Sequence, residues 1–144
     1  MPRSYPDRPI VGVGAVVFKG AEVLMIRRGK PPRMGDWSLP GGMQELGETV
    51  FQAALREVHE ETAVTIQNIA LIDVIDAITP DDQGRIQFHY TLVDVVADWR
   101  AGEPVGGTDA MHAEFMGFDE VAELDLWSET HRVIAMARQM RGLC

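Results

Sequence analysis

The chain has 144 residues, 46% of them hydrophobic and 24% charged, and a formal net charge of −9. Those proportions fit one domain with a full apolar core; they exclude a disordered chain, and the acidity excludes a broad footprint on nucleic acid. A small anionic substrate stays open, because bound cations reverse a local field. The only cysteine is Cys144, so no disulfide can form within the chain. The longest apolar run, residues 10–18, is too short for a bilayer, and "MPRSYPDRP" lacks the apolar stretch of a signal peptide. The expectation is a single domain over residues 1–144, cytoplasmic, with no membrane and no nucleic-acid partner.

In chain order, residues 1–9 carry three prolines and read as a lead-in. Residues 10–18 are rich in Val and predict a buried strand. "KGAE" is a turn, and residues 22–28 form the returning strand. Residues 29–42 are a loop, with a short strand at 37–39. Over 49–62, Val50, Phe51, Ala54, Leu55 and Val58 recur at helical spacing. Residues 64–78 are one strand or two, and "TPDDQG" (79–84) is a hairpin loop leading into a long strand over 86–97. A glycine-rich loop spans 100–109 and a short strand 114–118. A helical turn at 119–124 starts on Asp119, and a closing helix at 128–141 starts on Ser128. The order predicts an α/β (α+β) domain with a mixed sheet, one helix mid-chain and one at the end.

The mid-chain helix carries most of the chemistry. At about 100° per residue its apolar side chains cover roughly 0° to 140°, and Glu57, Glu60 and Glu61 fall within an arc of about 100° beside that stripe. Like charges one turn apart repel. On the wheel alone two readings stand equal: a solvated acidic face, or a site for a hard cation such as Mg²⁺ or Mn²⁺, which prefers oxygen ligands. Arg56 stands one turn from Glu60, where it can orient a carboxylate. "LPGG" just before the helix leaves room for close approach of a carbonyl or phosphate.

The spacing then becomes a signature. Gly42, five residues, Glu48, seven residues and "REVHEETAV" resemble the box of the Nudix hydrolases. One position departs: Ala63 stands where the family has glycine, at a helix end where a left-handed conformation would cost alanine about 1–2 kcal/mol. The resemblance implies an α/β/α sandwich around a mixed sheet and attack of water on the pyrophosphate of a nucleoside diphosphate derivative. Glu57, Glu60 and Glu61 fall on its metal-binding and water-activating positions, and the Gly41 carbonyl completes the coordination of Mg²⁺ or Mn²⁺. Gly42, Glu48 and Arg56 fall on positions that brace the loop and helix. A further late-chain carboxylate is expected from Asp109 or Glu114, with Glu114 preferred as ligand or base; the general base stays open among Glu57, Asp109 and Glu114.

Arg27 and Arg28 end the second strand with side chains on opposite faces, so one of them is the candidate for a substrate phosphate. Trp37 is expected to pack under the glycine loop, Phe88 and Tyr90 to pack in the core, His59 to be exposed, and Met34, Met43, Met111 and Met116 to serve packing. The histidines lack paired zinc-ligand spacing. Pro80, sixteen residues beyond Val64, is where the family's ADP-ribose pyrophosphatases carry a proline. That makes ADP-ribose or a similar nucleoside diphosphate sugar the first expectation. A pyrophosphatase acting on damaged nucleoside triphosphates comes second and a catalytically silent nucleotide-binding domain third. Small diphosphate-sugar pyrophosphatases of this family are often dimeric, so a homodimer is expected.

Overall fold

The computed structural model describes residues 2–30, 33–107 and 109–143; Pro31, Pro32 and Thr108 of the two expected loops, and Cys144, lie outside them. The elements are β1 (Ile10–Lys19), β2 (Glu22–Arg28), β3 (Trp37–Ser38), β4 (Gly41–Met43), α1 (Val50–Thr62), β5 (Thr65–Pro80), β6 (Ile86–Ala101), β7 (Ala110–Gly117), α2 (Phe118–Ala122) and α3 (Ser128–Met140). The strands make one mixed sheet in the order β3-β2-β1-β6-β5, with β4 on β1 and β7 on β2. Among the described residues only β1 and β6 run parallel, which the crossover through α1 permits.

Alternation along β1 divides the core. Val13, Ala15 and Val17 pack under α1 with Leu24, Val95 and Ala97. Val16 and Phe18 pack on the other face with Val23, Val96 and the α3 residues Val133, Ile134 and Ala137. With helices on both faces the chain is an α/β/α sandwich. None of the helices among the described residues is long and apolar enough to cross a membrane.

Several expected boundaries move. Gly41–Met43 is a strand, not loop, because its backbone pairs with β1 over Gly12–Gly14 while its glycines read as a turn. Residues 65–80 are one continuous strand with bulges, and β6 runs on to Ala101, so the hairpin loop shrinks to 81–85. The last strand starts at Ala110 rather than 114, held along β2 from Glu22↔Gly117 to Arg28↔Ala110. The caps of α2 and α3 are Gly117 and Trp127, and neither makes a side-chain cap, so Asp119 and Ser128 lie inside their helices. On α1, Phe51 and Leu55 are exposed, and the buried residues are Ala53, Ala54, Val58, Glu61 and Thr62. The buried face is thus rotated toward the acidic arc, and Glu61 lies inside it. Phe88 and Tyr90 are half-buried and belong to none of the core clusters, because Tyr90 lies at the first pairing with β1, Ile10↔Tyr90, and Phe88 beyond it. Among the four methionines expected to pack, Met34 and Met111 are exposed and Met116 is buried.

Candidate active site

Helix α1 is fixed at both ends. Thr49 Oγ1 accepts the Gln52 amide at 3.1 Å and Gln52 Oε1 accepts the Thr49 amide at 2.8 Å, a reciprocal cap that satisfies two otherwise free donors. At the other end Ala63 keeps the left-handed turn, with φ 63°, and its N–H donates to His59 O at 2.9 Å. Alanine thus holds a left-handed helix end here, at a steric cost of about 1–2 kcal/mol.

Arg56 is the hub of the acidic segment. Its guanidinium donates to both oxygens of Glu48, at 2.7 and 2.9 Å, and to the Met43 carbonyl at 3.0 Å. The same group donates to Glu57 at 2.7 Å and Glu60 at 3.3 Å. One rigid cation thereby joins the loop, β4 and the helix. The Arg56 hydrogen bonds hold the Glu48 carboxyl down at about 2. Glu45 is exposed and stands 3.7 Å from Arg56.

Glu57 and Glu61 behave oppositely to Glu48. Burial pushes the Glu57 carboxyl up, and Arg56 offsets that only in part. Glu61 is 5% exposed and accepts a single backbone hydrogen bond, from Gly41 N–H at 3.3 Å. Burial, with the charges of Glu57 and Asp109, pushes it up to about 8, against the pull of Arg28. A Cβ on Gly42 would displace the Glu57 carboxyl from its contact with Arg56. The structure thus brings together Gly41, Gly42, Glu48, Arg56, Glu57, Glu60 and Glu61.

The remaining candidates separate. A bulge falls between Arg27 and Arg28. Arg28 lies within electrostatic reach of Glu61. Arg27 donates to Gly35 O and lies over the Trp37 ring, on the α3 face, where Trp37 also meets His112 edge-on. Glu114, preferred above as the late-chain acid, is mid-strand opposite Met25 and lies 3.4 Å from His112. Its neighbour Phe115 packs on the α1 face, so alternation turns Glu114 the other way. The late acid whose charge acts on both Glu57 and Glu61 is Asp109, itself 2.6 Å from Lys30.

Among the described residues no three acidic, His or Cys side chains already form a cation cage, since Arg56 occupies Glu57 and Glu60. The donor set nonetheless fits a hard divalent ion. Glu61 is a buried carboxyl with one N–H donor and with like charges beside it that Arg28 offsets only in part, and oxygen-only donors suit Mg²⁺ or Mn²⁺.

A mixed sheet lies between helices, and a braced acidic helix packs against a glycine strand at its edge. The chain matches the model of the NUDIX domain over residues 8–137, and it belongs to the Nudix hydrolase family. It is 34% identical over 116 residues to an ADP-ribose pyrophosphatase of Methanocaldococcus jannaschii, covering 81% of this chain and 66% of that protein. It is also 28% identical over 131 residues to the 8-oxo-dGTP diphosphatase of Escherichia coli, covering 90% and 96%. The chain spans slightly under two thirds of the archaeal relative's length. Among solved structures, a MutT NUDIX hydrolase from Burkholderia pseudomallei superposes with a TM-score of 0.77 at 26% identity, over 90% of this chain and 98% of that one. The NUDIX domain of Shewanella oneidensis NrtR, solved with ADP ribose, superposes with the same TM-score at 22% identity, over 94% and 90%.

Proposed function

We propose that the chain hydrolyses the pyrophosphate bond of ADP-ribose, or of a closely related nucleoside diphosphate sugar, with Mg²⁺ or Mn²⁺. The observation that carries the reading is Glu61: a buried carboxylate, short of positive charge, at the one place where the acidic helix meets the Gly41 backbone. Glu57, Glu60, Glu61 and the Gly41 carbonyl would hold the ion. When bound, it neutralises the pyrophosphate, polarises the attacked phosphorus and acidifies water. Arg56 orients Glu57 and Glu60, and its bidentate grip on Glu48 keeps the loop closed over the helix. Arg28 is the residue to meet a phosphate oxygen, since its charge already acts at Glu61. Of the three carboxylates considered as base, Glu57 suits the task best, because its raised affinity for protons moves it toward neutrality. Asp109 is the second choice; Glu114 faces away.

The archaeal relative's name supports ADP-ribose as substrate. The bacterial relative supports the alternative, a pyrophosphatase of oxidised nucleoside triphosphates. The test is a hydrolysis panel of nucleoside triphosphates, diphosphate sugars, dinucleoside polyphosphates and coenzymes with each metal. The reading requires ADP-ribose to give AMP and ribose 5-phosphate with the highest kcat/KM; highest kcat/KM on a triphosphate overturns it.

A further inference from the structure

Lys30 is the cation beside the site that the chemistry above leaves without a task. It lies two residues past the end of β2, and its Nζ stands 2.6 Å from Asp109 Oδ1. Among the described residues no other ion pair engages it. The backbone beneath the pair is pinned. Gly29 N–H donates to Asp109 O at 3.0 Å, which ties the end of β2 to the start of β7. Val105 N–H donates to Thr62 O at 2.9 Å, and Gly107 lies so close on the Glu60 carbonyl that a Cβ would overlap it. Residues 105–107 are thereby laid on the last turn of α1, and Asp109 on the end of β2. The two side chains above that backbone are free to move, being 65% and 50% exposed. An ion pair this exposed contributes little stability, so exchanging one partner costs little.

Its position says what the exchange is for. The charge of Asp109 acts on both Glu57 and Glu61. Lys30, paired to that carboxylate, therefore stands beside the acids that would hold the ion, where a pyrophosphate has to arrive. The Arg56 guanidinium is committed there to Glu48, Glu57, Glu60 and the Met43 carbonyl. A lysine ammonium is a compact charge on a flexible stem, suited to leaving one anion for another. Its departure has a second effect. Asp109 without Lys30 adds its full negative charge to those of Glu57 and Glu61, and that favours a cation between them. Resting on the pyrophosphate-substrate reading above, we propose that Lys30 binds a substrate phosphate and, by leaving Asp109, makes substrate binding tighten the hold on the divalent ion.

The experiment measures Mg²⁺ binding by calorimetry to the wild-type protein and to Lys30→Met, with and without α,β-methylene ADP-ribose, whose methylene bridge blocks cleavage between the phosphates. Without the analogue, Lys30→Met should bind Mg²⁺ more tightly than wild type by about 5-fold, the low end of coupling between charged sites. With the analogue bound, that advantage should disappear. In steady state the same variant should raise KM for ADP-ribose by about 10-fold, the scale of one hydrogen bond to a charged group, with kcat changed less than about 3-fold. Lys30→Arg, which keeps the charge, should restore both the Mg²⁺ affinity and the KM of wild type. A folded Lys30→Met that binds Mg²⁺ no more tightly than wild type, or that keeps the wild-type KM, overturns the assignment. Failure of the wild-type protein to hydrolyse ADP-ribose overturns the substrate reading alone, and the Mg²⁺ comparison without the analogue then decides the role of Lys30.

Discussion

Replacing Glu61 by Gln separates the cost of the site from its use. The side chain is nearly isosteric and can still accept the Gly41 N–H through its amide oxygen. The change removes a carboxyl that burial holds at about 8, against 4.5 as its ordinary value. Between those values the folded chain holds a proton that the unfolded chain releases. Stability of the metal-free protein is therefore full below about pH 4.5 and falls as pH rises through about 8. At about 1.4 kcal/mol per pH unit, the loss by pH 7.5 has a ceiling of about 4 kcal/mol, and on the order of 2 kcal/mol with the effective dielectric of real sites. For a chain of this size that is a melting difference of about 4–8 °C. Glu57 and Asp94 are shifted in the same direction and remain in the variant, so its curve should be shallower rather than flat. In chelator, melting by circular dichroism from pH 5 to 8 should therefore show Glu61→Gln overtaking wild type as pH rises. With Mg²⁺ the order should reverse: wild type gains melting temperature through ligand linkage and the variant does not. Turnover should fall about 10²–10⁴-fold. A variant that melts at or below wild type throughout that pH range in chelator, or that keeps the full Mg²⁺ response, refutes the reasoning and makes Glu61 a structural acceptor for Gly41.

Other perturbations follow from the same geometry. Glu60→Gln, at a side chain 48% exposed and bonded only to Arg56, should keep its melting temperature in chelator yet lose about 10²–10⁴-fold in kcat; near-native turnover would return Glu60 to a solvated face. Ala63→Gly should raise stability by about 1 kcal/mol in urea melts with kcat/KM unchanged, because Ala63 holds a left-handed φ of 63° that glycine adopts freely. The protein should run as a homodimer in light scattering at micromolar concentration; a mass near that of one 15.9 kDa chain contradicts this.

The sequence made the box legible because its chemistry is local. Helix geometry puts Glu57, Glu60 and Glu61 in one arc, and the resemblance to the Nudix box adds the bracing by Glu48 and Arg56. Periodicity predicts the mixed sheet and its two helices, and the α/β/α sandwich is what the resemblance to the Nudix family implies. What needed coordinates was pairing between distant strands. β4 hid in "PGG" because its order comes from β1, not from its own residues. The sequence favours Glu114 over Asp109, yet the pairing of β7 with β2 turns Glu114 away, and the late acid whose charge acts on Glu61 is Asp109. The burial of Glu61 also ran against its residue type, since the wheel centred the core on Phe51 and Leu55, which the neighbouring elements leave exposed.

The central claim is that the carboxylates of α1 work through a divalent ion on a nucleoside diphosphate sugar. The most direct measurement is release of AMP and ribose 5-phosphate from ADP-ribose by the purified protein in excess EDTA, then after adding back Mg²⁺ or Mn²⁺. The account predicts no turnover in chelator and full recovery with either ion, together with an increase in melting temperature that Glu61→Gln lacks. Full hydrolysis in chelator would contradict the metal-dependent mechanism, and no hydrolysis of ADP-ribose with either ion would contradict the substrate.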